Sequence, residues 1–192
     1  MQQFQIGIDS WIIQDGNYGD FRVGDQIVCA IEFAGGNLRP SQQRRVSVVH
    51  LGKNIYFVCA QVLYSRTDVW AIEFGLRTFE ERRPPEFAAS GAWVEGEIEL
   101  GIDPFFYKER LCKLVDMPNL FNQWEIARIE RDDTPWITSG AGNVFSRDQQ
   151  NICWTDVQHT DAWNDDDGRS AYLLDLTSRQ LHIQQSESGQ LR

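Results

Sequence analysis

Residues 92–102, Ala92-Trp93-Val94-Glu95-Gly96-Glu97-Ile98-Glu99-Leu100-Gly101-Ile102, decide the fold class. Val94, Ile98, Leu100 and Ile102 fall on one parity, and Glu95, Glu97 and Glu99 on the other. Successive side chains of a strand point to opposite faces, so the stretch predicts a strand with one buried face and one wet, acidic face.

Upstream, the same period of two recurs. Phe4, Ile6 and Ile8 alternate with Gln3, Gln5 and Gly7, and Ile27, Cys29, Ile31 and Phe33 share one parity. Val46 to Leu51 predicts a strand, Gly52-Lys53-Asn54 a turn, Ile55 to Tyr64 a central strand and Val69 to Phe74 another. Short turns between them imply an antiparallel meander or Greek key. Val28-Cys29-Ala30-Ile31-Glu32-Phe33 and Val69-Trp70-Ala71-Ile72-Glu73-Phe74 agree at five of six positions. With no third copy, the echo reads as two strands meeting similar packing demands.

Downstream, Asp103-Pro104 opens a short helix carrying Tyr107, Leu111 and Leu114 at helical spacing. Trp124 to Arg131 fits either a helix or a strand, and Ser139 to Asn143 reads as a flexible loop. The last fifty or so residues read as a three-stranded meander: Asn151 to Trp163, Ala171 to Thr177 and Gln180 to Gln184. The expected fold is therefore mainly β, an antiparallel barrel or sandwich with one or two short helices and this C-terminal three-stranded meander. One β-rich domain over 1–192 is expected. The charge run and Pro pair at 80–90 mark a possible subdivision into a 1–80 β-meander and a 91–192 β-rich half with the short helix.

The formal charge is −10 over 192 residues. An acidic surface disfavours nonspecific attachment to nucleic acid or anionic membranes, so neither is expected as a partner, and it suits a basic protein. No apolar run reaches membrane-spanning length. The four cysteines (Cys29, Cys59, Cys112 and Cys153) are widely spaced, without C-x-x-C, so reduced thiols and a cytoplasmic location are expected. No phosphate-binding loop, dinucleotide fingerprint or nucleophile elbow occurs, so no cofactor is expected.

Two acidic stretches are the candidate partner-binding residues. The first is the comb Glu95, Glu97 and Glu99 with Trp93 at its head. The second is the turn Asp165, Asp166 and Asp167 with Trp163 beside it. Exposed aromatics next to charge make good anchors at interfaces. The comb could instead pair with Arg44, Arg45 or Arg66. The alternative reading is metal binding, with or without metal-dependent catalysis, by His159, Asp161 and Asp165. His159 and Asp161 share a strand parity, and oxygen ligands on a turn suit Ca²⁺ or Mg²⁺. An EF-hand register fails, because Trp163 and Leu174 would occupy its first and twelfth positions. A third reading is a β-barrel holding a small ligand on Trp-lined walls. The leading expectation is a non-enzymatic interaction protein with an acidic recognition surface for a basic partner.

Overall fold

The computed structural model describes residues 2–138 and 145–178. Its elements begin with β1 (Gln3–Asp9), α1 (Ser10–Gln14), β2 (Gln26–Cys29), β3 (Ile31–Gly35) and β4 (Arg39–Pro40). The antiparallel run β5 (Ser47–Gly52), β6 (Ile55–Arg66), β7 (Val69–Glu73) and β8 (Arg77–Glu80) follows, then β9 (Trp93–Ile102) and α2 (Phe106–Glu109). The chain continues through β10 (Asn122–Asp132), β11 (Trp136–Thr138), β12 (Phe145–Arg147), β13 (Trp154–Val157) and β14 (Ala171–Ser178). β11 and β12 form a separate two-stranded sheet, and the other strands join in one.

The expected barrel is present. Pairing runs β9-β3-β8-β7-β6 and returns from β6 to β9, closing five strands. The β5-to-β8 run is the antiparallel meander, and the closing step is a parallel β3–β8 pair. That pair joins strands far apart in sequence, a relation no local pattern reveals. β8 itself went unread for a local reason: Thr78, Phe79 and Glu80 are all buried, so the strand shows no alternation.

β9 is the hub. Val94, Gly96, Ile98, Leu100 and Ile102 are buried while Glu97 and Glu99 are exposed, as the parity requires. Gly96 has φ +150°, and a Cβ there would lie 2.6 Å from the Asn37 carbonyl oxygen. Only glycine lets the chain before β4 cross β9 at that distance.

A second set of strands continues from β9 through β1, β14 and β10. β10 then pairs with β2 at one end and β13 at the other. β2 runs through Ala30 into β3, so this path leads back to the barrel. The Cys29–Ile31 switch makes the two copies of the sequence echo unlike: the first straddles two strands, whereas the second is the single strand β7 with Phe74 after it, so the echo does not mark two equivalent strands. The ambiguous segment at 124–131 is strand β10. The first two strands of the expected C-terminal meander, β13 and β14, are not hairpin neighbours: they flank β10, which lies between them in the sheet. The meander's expected third strand at Gln180–Gln184 lies outside the described residues.

One core spans both halves of the chain. Phe4 meets Tyr56, Phe74 and Trp124 edge-on at centroid distances of 5.6, 6.1 and 6.3 Å. Inside the barrel, Trp70 packs against Phe33 at 5.1 Å and donates its Nε1–H to Glu80 Oε2 at 2.9 Å. A smaller cluster packs Tyr107, Leu111 and Leu120 against Phe79, Ala71 and Tyr64. The expected helix at 103–114 is only α2 plus a 3₁₀ turn, Leu111–Lys113. Asp103 accepts the Tyr107 N–H, and Leu114 is left exposed.

Candidate functional site

A large groove lies where β1, β9 and β3 cross. Asp9, Gly7, Gly101, Glu99, Glu32 and Ala34 all line it. Register places Gly101 between Gly7 of β1 and Glu32 of β3, so two glycines and one carboxylate form a row across the sheet. Asn54, from the β5–β6 turn, lies over Gly7 and donates to the Leu100 carbonyl at 2.9 Å and to Glu99 Oε1 at 3.1 Å. The groove holds about 900 Å³, with Trp154 and Phe106 among its walls.

Six carboxylates line it (Asp9, Glu32, Glu80, Glu81, Glu99 and Asp132) against three cations, Lys53, Arg82 and Arg110. The cations are already engaged. Arg82 donates to the Gly35 carbonyl at 2.9 Å and pairs with Glu80 at 3.3 Å. Arg110 pairs with Glu81 and covers the Phe106 ring, and Lys53 sits 4.7 Å over Trp154. Glu32 is different: among the described residues it has no ion-pair or hydrogen-bond partner. Burial lifts its carboxyl to about 7, helped by the negative charges of Asp103, Glu81, Glu80 and Asp9. Asp9 is also raised, first by desolvation and further by Glu99, against a lowering hydrogen bond to Trp11. Asp103, behind the groove, is pushed up to about 6 by burial despite hydrogen bonds from backbone N–H groups.

Next to this groove, and sharing Lys53, Trp154 and Leu173 with it, lies a polar cavity of about 630 Å³. Gln5 spans its floor, donating to Glu130 at 2.9 Å and Asp175 at 3.0 Å, while His50 stacks on Tyr56 at 4.8 Å.

The sequence-predicted residues fall in different places. Glu99 lines the groove, and Glu97 is exposed. Glu95 is held by Arg39 at 2.9 Å and Ser41 Oγ at 2.6 Å, which keeps its carboxyl below the usual range. The arginine that meets the comb is thus Arg39, whereas Arg66 pairs with Asp116. Trp93 is half-buried at the start of β9.

In the aspartate turn, Asp165 pairs with Arg131 at 2.5 Å and accepts the Tyr172 hydroxyl at 2.8 Å. Asp166 pairs with Arg147 at 2.7 Å and accepts Trp136 Nε1–H at 2.8 Å. Asp167 and Trp163 are exposed. Asp165 and Asp166 line a smaller cavity of about 280 Å³. His159 is exposed and bridges to Arg22, and Asp161 accepts both of its short contacts from Asn164 Nδ2. Among the described residues no three His, Cys, Asp or Glu side chains converge as a metal-ligand set. His182 lies outside the described residues.

Sequence reasoning missed Glu32 and Asp9. Glu32 carries a faint signal, a carboxylate inside an otherwise apolar run, but Glu73 occupies the matching place in the echo. Glu73 is paired with Arg77 at 3.4 Å, so the residue type alone does not separate the two.

Among the described residues no helix is long and apolar enough to cross a membrane. No protein-family model, no curated protein and no solved structure matches this chain.

Proposed function

We propose that this chain is a non-enzymatic binding protein whose acidic groove receives a cationic group, an arginine or lysine side chain presented by a basic protein. The observation that carries the reading is Glu32. It is a desolvated carboxylate with no cation of its own among the described residues, set among carboxylates in a groove whose three cations are already engaged. A guanidinium or ammonium entering there would supply the missing partner, and a largely desolvated pair of this kind is worth more than an exposed one. Trp154 and Phe106 among the walls already carry the chain's own Lys53 and Arg110, so the groove's rings hold cationic side chains of the kind proposed. Glu99, of the acidic comb in the sequence, is among the groove's lining residues, which supports this reading. The second reading, a small organic cation, is favoured by the groove's volume, which falls in the range of small-molecule clefts.

The test is calorimetric titration of the full chain with hexa-arginine at pH 5, 6, 7 and 8. Because a bound cation favours ionised Glu32, affinity should rise with pH and level off above about 7. Glu32→Gln should weaken binding at pH 8 by about tenfold and flatten the pH dependence, and added salt should weaken the wild type. Binding that is indifferent to both pH and Glu32→Gln would rule out the groove. Repeating the titration with spermidine separates the two occupants: tighter binding of the small amine would favour the second reading.

A further inference from the structure

We propose that β5 is a docking edge for an extended, acidic segment of a partner protein, which adds a strand to the sheet beyond it. Among the described residues β5 pairs only with β6 and ends the order of the sheet, and all six of its residues are exposed. Every second residue of such an edge strand turns its N–H and C=O away from its only neighbour, a row of groups ready to pair. Most of the devices that usually blunt an edge are missing: Ser47-Val48-Val49-His50-Leu51 contains no proline, glycine, Lys, Arg, Asp or Glu, and the one irregularity is a bulge at the far end, between His50 and Gly52. Its apolar side chains stand in water, Val49 at 54% and Leu51 at 50% exposure, beside Ile55 at 40%. That combination suits strand addition, in which main-chain bonds give affinity and alternate side chains give register.

Charge selects the occupant. The chain carries −10 overall, yet no Asp or Glu occurs between Glu32 and Asp68, while Arg39, Arg44, Arg45, Lys53 and Arg66 do. Arg44 and Arg45 precede β5 with only Val46 between, and Lys53 follows it directly, all exposed. The carboxylates on the same face belong to β9, about two strand spacings away, and Glu95 among them is already paired with Arg39. The Arg44–Arg45 end of the edge is therefore positive in an otherwise negative molecule, whereas Lys53 at the other end faces the carboxylates of the groove. A second copy fits poorly. Antiparallel self-pairing centred between Val48 and Val49 sets Arg44 against Lys53, and centring on Val49 sets Arg45 against Lys53. An apolar strand flanked by Asp or Glu meets the same edge with complementary charge at Arg44 and Arg45.

The test uses isotope-labelled full chain and two cyclised β-hairpin peptides. One presents a free strand Glu-Val-Thr-Val-Thr-Val-Glu, and the other has Lys in place of both Glu. Cyclisation removes most of the cost of ordering the probe. Exchange of the outward-facing β5 amides should slow about tenfold or more with the Glu probe at about 1 mM, and the Lys probe should bind about tenfold more weakly. The double variant Arg44→Glu/Arg45→Glu, at exposed positions, should keep the wild-type melting temperature and reverse the preference between probes. Three results would overturn the proposal. The first is no slowing in β5, and the second is equal binding of the two probes. The third is β5 protection without probe that grows with protein concentration in step with dimer formation on sedimentation, which would assign the edge to a second copy.

Discussion

Glu32 owes its behaviour to neighbours that are remote in sequence. Its own strand gives it an outward parity, but Asp103, the Glu80–Glu81 pair and Asp9 arrive from three other segments, and the crossing of β1, β9 and β3 removes water. The consequence for stability has a definite sign. A glutamate titrates near 4.3 when unfolded and this one near 7 when folded, so the native state holds the proton more tightly. The stabilisation is complete below the unfolded value and is lost as pH rises through about 7. Glu32→Gln keeps the shape and cannot ionise. At pH 8 it should be more stable than wild type by about 1–2 kcal/mol, less than the full shift implies because the site is partly open to solvent. Near pH 4.5 the two proteins should unfold at the same urea concentration. Asp103, raised in the same sense, should leave the variant a residual decline between pH 4 and 6. Equal destabilisation of the variant at both pH values would mean that Glu32 has a partner and is not strained by its burial.

At the scale of elements, alternation revealed what each strand buries but not which strand it joins. Parity in β1, β3 and β9 was legible because each has one wet and one dry face. It failed for β8, buried along most of its length, and for α1, five residues long and without a side-chain cap. The aspartate turn shows the same limit from the other side. Its composition reads as a solvated tip, whereas Arg131 and Arg147, from β10 and β12, draw two of its carboxylates inward. Asp165→Asn should therefore lower stability by about 1–2 kcal/mol, losing charge opposite Arg131 while the Tyr172 hydroxyl keeps an acceptor. Asp167→Asn, at an exposed site, should change the melting temperature little. Gly96→Ala is the harsher change in this class, because its methyl group would press on backbone at 2.6 Å and take up a left-handed φ. A loss of about 2–4 kcal/mol is expected by chemical denaturation. A neutral result would show that the Asn37–Leu38 crossing can move away.

For the whole molecule, the deciding fact is which parts of the chain complete which sheet. β1, at the start, is held between β14, near the end, and β9, in the middle. The seven-residue β1–β14 ladder runs from Gln3 opposite Thr177 to Asp9 opposite Ala171. Phe4 and Ile6 share a core with Trp124, Ile126 and Leu174, while the barrel itself needs β9 to close. A fragment ending near residue 80 would lack β9, β10 and β14. It would expose the inner faces of β1, β3 and β6, and could not close the barrel. The Arg82-Arg83 region, where composition suggested a boundary, is tied in by the Arg82 guanidinium, which reaches both Glu80 and the Gly35 carbonyl. Trypsin acting on the native protein should cut after Arg82 slowly, on the timescale of global opening rather than of a free linker, the Arg83–Pro84 bond being resistant in any state. If a nick does form there, the two pieces should elute together under native conditions and separate only in denaturant, because each carries strands that the other's core requires. A recombinant 1–80 chain should lack the near-ultraviolet dichroism of packed Trp70 and refold only when residues 81–192 are added. Two fragments that each melt cooperatively alone would show instead that the shared core contributes little and that the chain is two domains.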